Sequence, residues 1–241
     1  MNDDLSQLME CLKLRKIAEL YDHEQGKADK SQEPFGTLLA RLLRAEWDHR
    51  QESALAARIK SAKLPEEWTL ESFPFKQQPG VSRRQIRTLA ELDFIGKAEN
   101  IVFLGPTAVG KTALATGLLI KAMQDGHRAL FISAQDLFDE MYASLADRST
   151  RKLLNRLVRV DVLCIDELGY LNLKPEHNNI FFKLMHERYR RRPTIITTNL
   201  EYAEWHSFFG NPKLVEALLS RVRHHCHTIK IEGPPLREPQ G

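Results

Sequence analysis

The chain has little cysteine. Cys11, Cys164 and Cys226 are the only three in 241 residues, and they lie far apart with no pairing pattern. A disulfide-built secreted scaffold is therefore excluded. The N-terminus has neither the basic nor the apolar region of a secretory signal. No apolar run approaches the roughly 20 residues that span a bilayer. A cytoplasmic, reduced protein without membrane insertion is expected. A strong charge of one sign is also missing, since the net charge is +3. Acid clusters of the nuclease type and a helix-turn-helix signature are absent as well. The chain is accordingly not expected to cut or join DNA itself, and any sequence preference would come from DNA shape or from a partner.

What is present suits one substantial domain with a smaller appendage, because 42% of residues are hydrophobic and 28% charged. Leu5, Leu8, Met9, Leu12, Ile17 and Leu20 recur at helical spacing until a polar stretch from Gly26 to Glu33 breaks the pattern. A second helix is predicted from about Phe35 to Ala62, with Leu38, Leu39, Leu42, Leu43, Trp47, Leu55 and Ile59 at helical intervals. Residues 1–66 thus read as a small all-helical domain, and residues 67–241 as the main domain. The connector from Leu64 through Phe73-Pro74-Phe75 to Pro79-Gly80 is rich in proline and aromatics and reads as irregular. With the short helix starting near Ser82, it could cover a nucleobase. Phe73, Phe75 and Phe94 themselves are expected to be core residues in preference to that role.

The main domain opens on an apolar strand, Ile101 to Leu104, followed by Gly105-Pro106-Thr107-Ala108-Val109-Gly110-Lys111-Thr112. This is a complete G-x-x-x-x-G-K-T phosphate loop, and the helix-prone run Ala113 to Met123 supplies the context it needs. Small residues let backbone N–H groups close around phosphate oxygens. Lys111 would reach the β- and γ-phosphates, and the Thr112 hydroxyl would complete a Mg²⁺ shell. The positive end of the helix would face the anion. Binding of ATP with Mg²⁺ is expected.

Beyond the loop, strands and helices alternate. Arg128–Ser133 reads as a strand, Ala134–Leu145 and Thr150–Val158 as helices, and Val160–Ile165 as a strand, which implies a mostly parallel sheet flanked by helices. Asp166 and Glu167 end that last strand, 54 positions after Thr112. Two acids after a strand can be a turn signal. At this distance from a phosphate loop they read as the Mg²⁺ ligand (Asp166) and the base that polarises the attacking water (Glu167). The next buried strand, Pro193 to Asn199, carries Asn199 at its tip, where it would either sense the γ-phosphate or cap the helix near Glu201. A helix from Lys213 to Arg223 offers Arg221 and Arg223 as candidates for an arginine finger acting in trans, or for a surface role. Residues 148–192 carry eleven Arg or Lys against five Asp or Glu. That cluster, ending in Arg188, Arg190, Arg191 and Arg192, fits DNA phosphates, a neighbouring subunit or a solvated face.

Taken in order, the phosphate loop, Cys164 to Leu171 (C-I-D-E-L-G-Y-L), Thr197-Thr198-Asn199-Leu200, Trp205 to Pro212 and Leu218 to Val222 resemble an IstB-type transposition helper of the DnaC-like branch of AAA+ ATPases. The resemblance covers nearly the whole chain, and the motifs after Asp166 carry most of it. It implies a bacterial ATPase encoded beside a transposase. Such a protein would oligomerise with ATP on duplex DNA and help the cognate transposase engage its target, with hydrolysis disassembling the coat. The rival in the same branch is a replicative helicase loader that binds single-stranded DNA. By motif position, Asn199 matches the family's sensor and Arg221 its trans-acting arginine. The sequence departs from the pattern at Ala108, where many relatives have glycine, and at Ser220, where the family has Asp. A positive φ at Ala108 would cost about 1 kcal/mol. Arg237 is the one candidate for a further phosphate sensor. His224-His225-Cys226-His227, read as extended, would point its side chains in alternating directions and is not expected to hold a metal.

Overall fold

Spacing of apolar residues and a few polar caps explain most of the elements. The computed structural model describes residues 3–169 and 175–236, the side chains of 175–177 excepted. Tyr170, Leu171 and Arg237 lie outside the described residues. The chain divides into two compact units, Met1–Ala57 and Arg58–Gly241. Packing thus divides it inside a continuous helix, whereas composition changes at residue 66.

The first unit holds α1 (Asp3–Cys11), α2 (Arg15–Ser31) and most of α3 (Phe35–Ala62). Met9, Ile17, Ala28, Leu38 and Leu42 form its small core. The polar stretch from Gly26 is not a break, since α2 runs through Gly26 to Ser31 and stops at Gln32 in the left-handed region. One helical glycine costs only about 1 kcal/mol, and burial of Ala28 in the core works against that cost. The break falls instead at residues 12–14. Leu14, at the start of α2, offers no side-chain cap. Glu46 of α3 takes over: its Oε2 accepts the amides of Lys16 (2.8 Å) and Ile17 (3.2 Å), and its Oε1 accepts Arg50 Nε (2.9 Å). Burial pushes the Glu46 carboxyl up, but these hydrogen bonds and the Arg50 charge hold it below the ordinary carboxylate value.

In the second unit, α4 (Arg83–Ala90) starts at the Ser82 cap and α5 (Asp93–Gly96) leads into β1 (Asn100–Leu104). There follow α6 (Lys111–Gln124), β2 (Ala129–Ser133), α7 (Ala134–Ala146), α8 (Thr150–Arg159), β3 (Val162–Leu168), α9 (Pro175–Arg188), β4 (Thr194–Thr198), a short 3₁₀ turn (Tyr202–Glu204), α10 (Trp205–Phe209), α11 (Pro212–His224) and β5 (Cys226–Lys230). The five strands form one parallel sheet in the order β2-β3-β4-β1-β5. All five residues of β1 and of β4 are buried, as expected for central strands with both faces covered. The fold is α/β with a parallel sheet flanked by helices, preceded by a helical region. Serine and asparagine caps set where helices begin: Ser133 accepts the Asp136 amide and Asn211 accepts that of Leu214, with Pro212 at the first helical position.

Some sequence expectations change. The stretch read as extended, His224 to His227, is extended only from Cys226, where β5 begins and pairs with β1, whereas His224 is still helical. His224 ends a helix and bonds Tyr189 Oη (2.8 Å), whereas His227 on β5 bonds Glu99 (2.9 Å), so the two rings serve different elements. The arginine cluster after α9 is not one surface unit. Arg188 is 1% exposed, and its guanidinium donates to Leu157 O (2.8 Å), Val160 O (3.1 Å), Pro193 O and Thr194 Oγ1 (3.0 Å). Burial, aided by Arg192, pulls its pKa down to about 9. Arg192 is paired with Asp161. Arg188 is therefore a core tie between α8, α9 and β4 and not a DNA-facing candidate; Arg190 and Arg191 remain exposed. Trp205 and Cys164 are fully buried core residues, Trp205 beside Phe209.

Candidate functional site

The site forms where β1, β3 and β4 end together. Residues 105–110 turn the chain from β1 into α6, and Gly110 at φ 95° supplies the left-handed conformation that caps the helix start. Ala108 is left-handed too, at φ 64°. The cost foreseen for a non-glycine residue there is incurred. Lys111, 8% exposed, folds back so that Nζ donates to Gly105 O (2.8 Å) and Pro106 O (2.6 Å). Burial lowers its pKa from the usual lysine value, and the charges of Asp166 and Glu167 partly offset this.

Thr112 Oγ1 donates to the Asp166 carboxylate, 3.0 and 3.1 Å from its two oxygens, and Thr197 Oγ1 of β4 donates to the same group. Asp166 is 6% exposed. Burial raises its pKa, as does Glu167, while the two threonines and Lys111 pull it down; the net shift is upward. β3 runs three residues past the predicted end at Ile165. The register of β3 against β4 slips between Ile165 and Leu168, and Glu167 stands at φ 58°. This bulge leaves Asp166 buried and turns Glu167 to the exposed side. The Glu167 amide bonds Thr197 Oγ1 (2.9 Å). Thr197 thus holds both acids, a role that its place in an apolar strand did not reveal.

Asn199 follows β4, and its Oδ1 is buried without a hydrogen-bond partner among the described residues. The helical turn after it is capped by Glu201 in a reciprocal box with Glu204, so Asn199 is not the cap. A cavity of about 950 Å³ opens over the loop. Thr107, Ala108, Gly110, Lys111, Thr112, Asp166 and Glu167 line it; Asn199 and Arg221 do not. The connector supplies one wall, with Trp68, Phe73 and Pro74, and α7 supplies Asp136, Asp139 and Glu140. Phe75 stacks edge-on against Phe73 outside that wall, and Phe94 is buried in the core. The α7 acids escaped the sequence reading because a polar helix face looks the same whether it meets solvent or a cavity. On α11, Arg221 Nη1 bonds Ala217 O (2.7 Å), whereas the Arg223 guanidinium lies 5.0 Å from the Tyr202 ring centroid.

A phosphate loop between a strand and a helix, two acids on the strand two places away and a parallel five-stranded sheet define a P-loop protein of the AAA+ class. Solved structures share this fold: DnaI (TM-score 0.59, 21% identity, 68% of this chain and 91% of that one) and the DnaC helicase loader (TM-score 0.55, 23% identity, 68% and 96%). AMPPCP-bound DnaA from Aquifex aeolicus also matches (TM-score 0.58, 22% identity, 70% and 51%). Residues 7–240 match the model of the IstB-like ATP binding protein family, and the chain belongs to that family. Among its relatives are the ATP-binding protein of insertion sequence IS21 from Pseudomonas aeruginosa, 35% identical over 97% of this chain and 88% of that protein, and that of IS5376 from Geobacillus stearothermophilus, 34% identical over 98% and 94%. Among the described residues no helix is long and apolar enough to cross a membrane.

Proposed function

We propose that this chain is a DNA-stimulated ATPase of a bacterial insertion element, which oligomerises on duplex DNA and helps the cognate transposase engage its target. In this reading residues 67–241 are the ATPase domain, and residues 1–66 a helical domain for DNA or partner contact. The carrying observation is the convergence of Lys111, Thr112, Asp166 and Glu167 on one cavity in a member of a family whose relatives are named for insertion sequences. Those names favour transposition over helicase loading, since the likeness to the DnaC loader is one of fold alone.

The backbone of residues 105–110 and the Lys111 ammonium would bind the triphosphate. Lys111 now spends its protons on two loop carbonyls. Phosphate oxygens would take their place as stronger, charged acceptors. Thr112 and Asp166 offer hard oxygen ligands side by side, the donor set that suits Mg²⁺, and would hold it. When bound, the ion neutralises charge on the β- and γ-phosphates. Glu167, turned outward by the bulge, would accept a proton from the attacking water. Support for Asn199 as the γ-phosphate sensor, which would act through its Nδ2 donor, comes from Glu201 filling the capping role. Arg221 is favoured over Arg223 as the trans finger by its position in the family's motif, since both arginines have partners within their own chain.

The test is light scattering with a slowly hydrolysed ATP analogue, comparing duplex with single-stranded DNA. Growth into large particles only with analogue and duplex is expected. Small assemblies that prefer single strands would move the assignment to a helicase loader.

A further inference from the structure

The phosphate loop is gripped from outside by two segments distant in sequence. Leu236 N–H donates to Ala108 O (2.7 Å). The Gln78 side-chain Nε2 donates to Val109 O (3.1 Å) and, with its other proton, to Pro234 O (3.0 Å). Gln78 is fully buried, and two carbonyls on one side of its amide fix which end is nitrogen. Its Oε1 is buried without a hydrogen-bond partner among the described residues. Against that oxygen lies Gly233, where any Cβ would collide with it. The connector and the 231–236 segment therefore meet on the loop with Gln78 as the pin. A buried amide that leaves its own acceptor unmet is costly, and such a residue calls for a reason beyond filling space.

Peptide geometry supplies the reason. Among the described residues no peptide bond is cis, and in a trans peptide the carbonyl and the following N–H point in opposite directions. Holding the Ala108 carbonyl from outside turns the Val109 N–H the other way, and holding the Val109 carbonyl does the same for the Gly110 N–H. These are consecutive amides of the loop that would cradle phosphate. We infer that Gln78 and the backbone N–H of Leu236 are positioning residues that preorganise the phosphate loop, so that two of its amides already face the anion before nucleotide arrives. The inference rests on the nucleotide-binding reading above. The Gln78 amide and the Leu236 N–H act through the loop backbone, while the connector and Leu236 also line the cavity.

The test measures binding of ATP and ADP by calorimetry, and of adenosine by competition, to the full chain and three variants. Gln78→Met keeps the shape and removes the donor. Leu236→Pro removes the backbone donor, and Leu236→Ala retains it. Both donor-removing variants should bind ADP and ATP about tenfold more weakly, the worth of roughly one hydrogen bond. Adenosine affinity should be unchanged, and because the Leu236 side chain lines the cavity, Leu236→Pro is judged against Leu236→Ala, which should keep the tighter ADP and ATP binding. In turnover, KM should rise while kcat holds. If Gln78→Met misfolds, Leu236→Pro reads the same amide row through the other carbonyl. Unchanged ADP affinity in a folded donor-removing variant overturns the positioning role and leaves the nucleotide site standing. An equal loss for adenosine, or an equal loss in Leu236→Ala, also overturns it. Failure of the wild type itself to bind ADP and ATP overturns both the inference and the reading beneath it.

Discussion

Asp166 carries two opposing demands. It sits buried beside Glu167, which disfavours its charge, yet the magnesium-binding role proposed for it needs the ionised form. A carboxyl whose folded pKa is raised contributes stability that is present below the ordinary carboxylate range and is lost as pH rises through the folded value. Asp166→Asn removes this penalty and keeps an oxygen for Thr112 and Thr197. It should stabilise the nucleotide-free protein by about 1 kcal/mol at neutral pH, or ~3 °C in midpoint, while Mg²⁺-dependent hydrolysis is lost. Thermal unfolding from pH 4 to 8 checks this: the advantage should be absent at the acid end and grow toward neutrality, and a flat difference would contradict the account. Local signals exposed much at this scale. The order Gly105 to Thr112 followed by Asp166-Glu167 pointed to the ATP binding for which the family is named, and the glycine missing at position 108 pointed to a strained φ. Thr197 was invisible because its importance comes from facing Asp166 across two strands.

Among the elements, α2 shows how a helix can lack a local start signal. Its cap comes from Glu46, 30 residues beyond Lys16, and the same carboxylate holds Arg50 against the α1–α2 turn. Glu46→Ala should cost about 1–2 kcal/mol, read as faster amide exchange in the first turn of α2. Because the Glu46 carboxyl is held low, the wild type keeps this contribution above the ordinary carboxylate range and loses it as pH falls through the depressed folded value. Exchange unaffected by the substitution would show that packing alone fixes the turn. Helices with strong apolar periods were legible, and α3 falls on the predicted Phe35–Ala62 span. β5 was not, because half-exposed residues on an edge strand carry no apolar run; only pairing with β1 makes them a strand.

Across the whole molecule, hydrolysis is expected to depend on assembly, since Arg221 lies outside the cavity of its own chain. Mixing Arg221→Ala with Glu167→Gln subunits should restore a fraction of the activity that each variant lacks alone, measured as phosphate release on duplex DNA across mixing ratios. Absence of recovery at every ratio would rule out a shared site. The sequence by itself determined the nucleotide-binding class, because a phosphate loop and strand-tip acids depend on residue types at short or fixed spacings. It also determined the alternation of strands and helices, which follows from local periodicity. The strand order, the burial of Arg188, the outward turn of Glu167 and the grip of Gln78 on the loop were decided only by the tertiary structure. Each depends on partners 28 to 156 residues away, and local spacing carries no record of which distant carbonyl or hydroxyl will meet a given side chain.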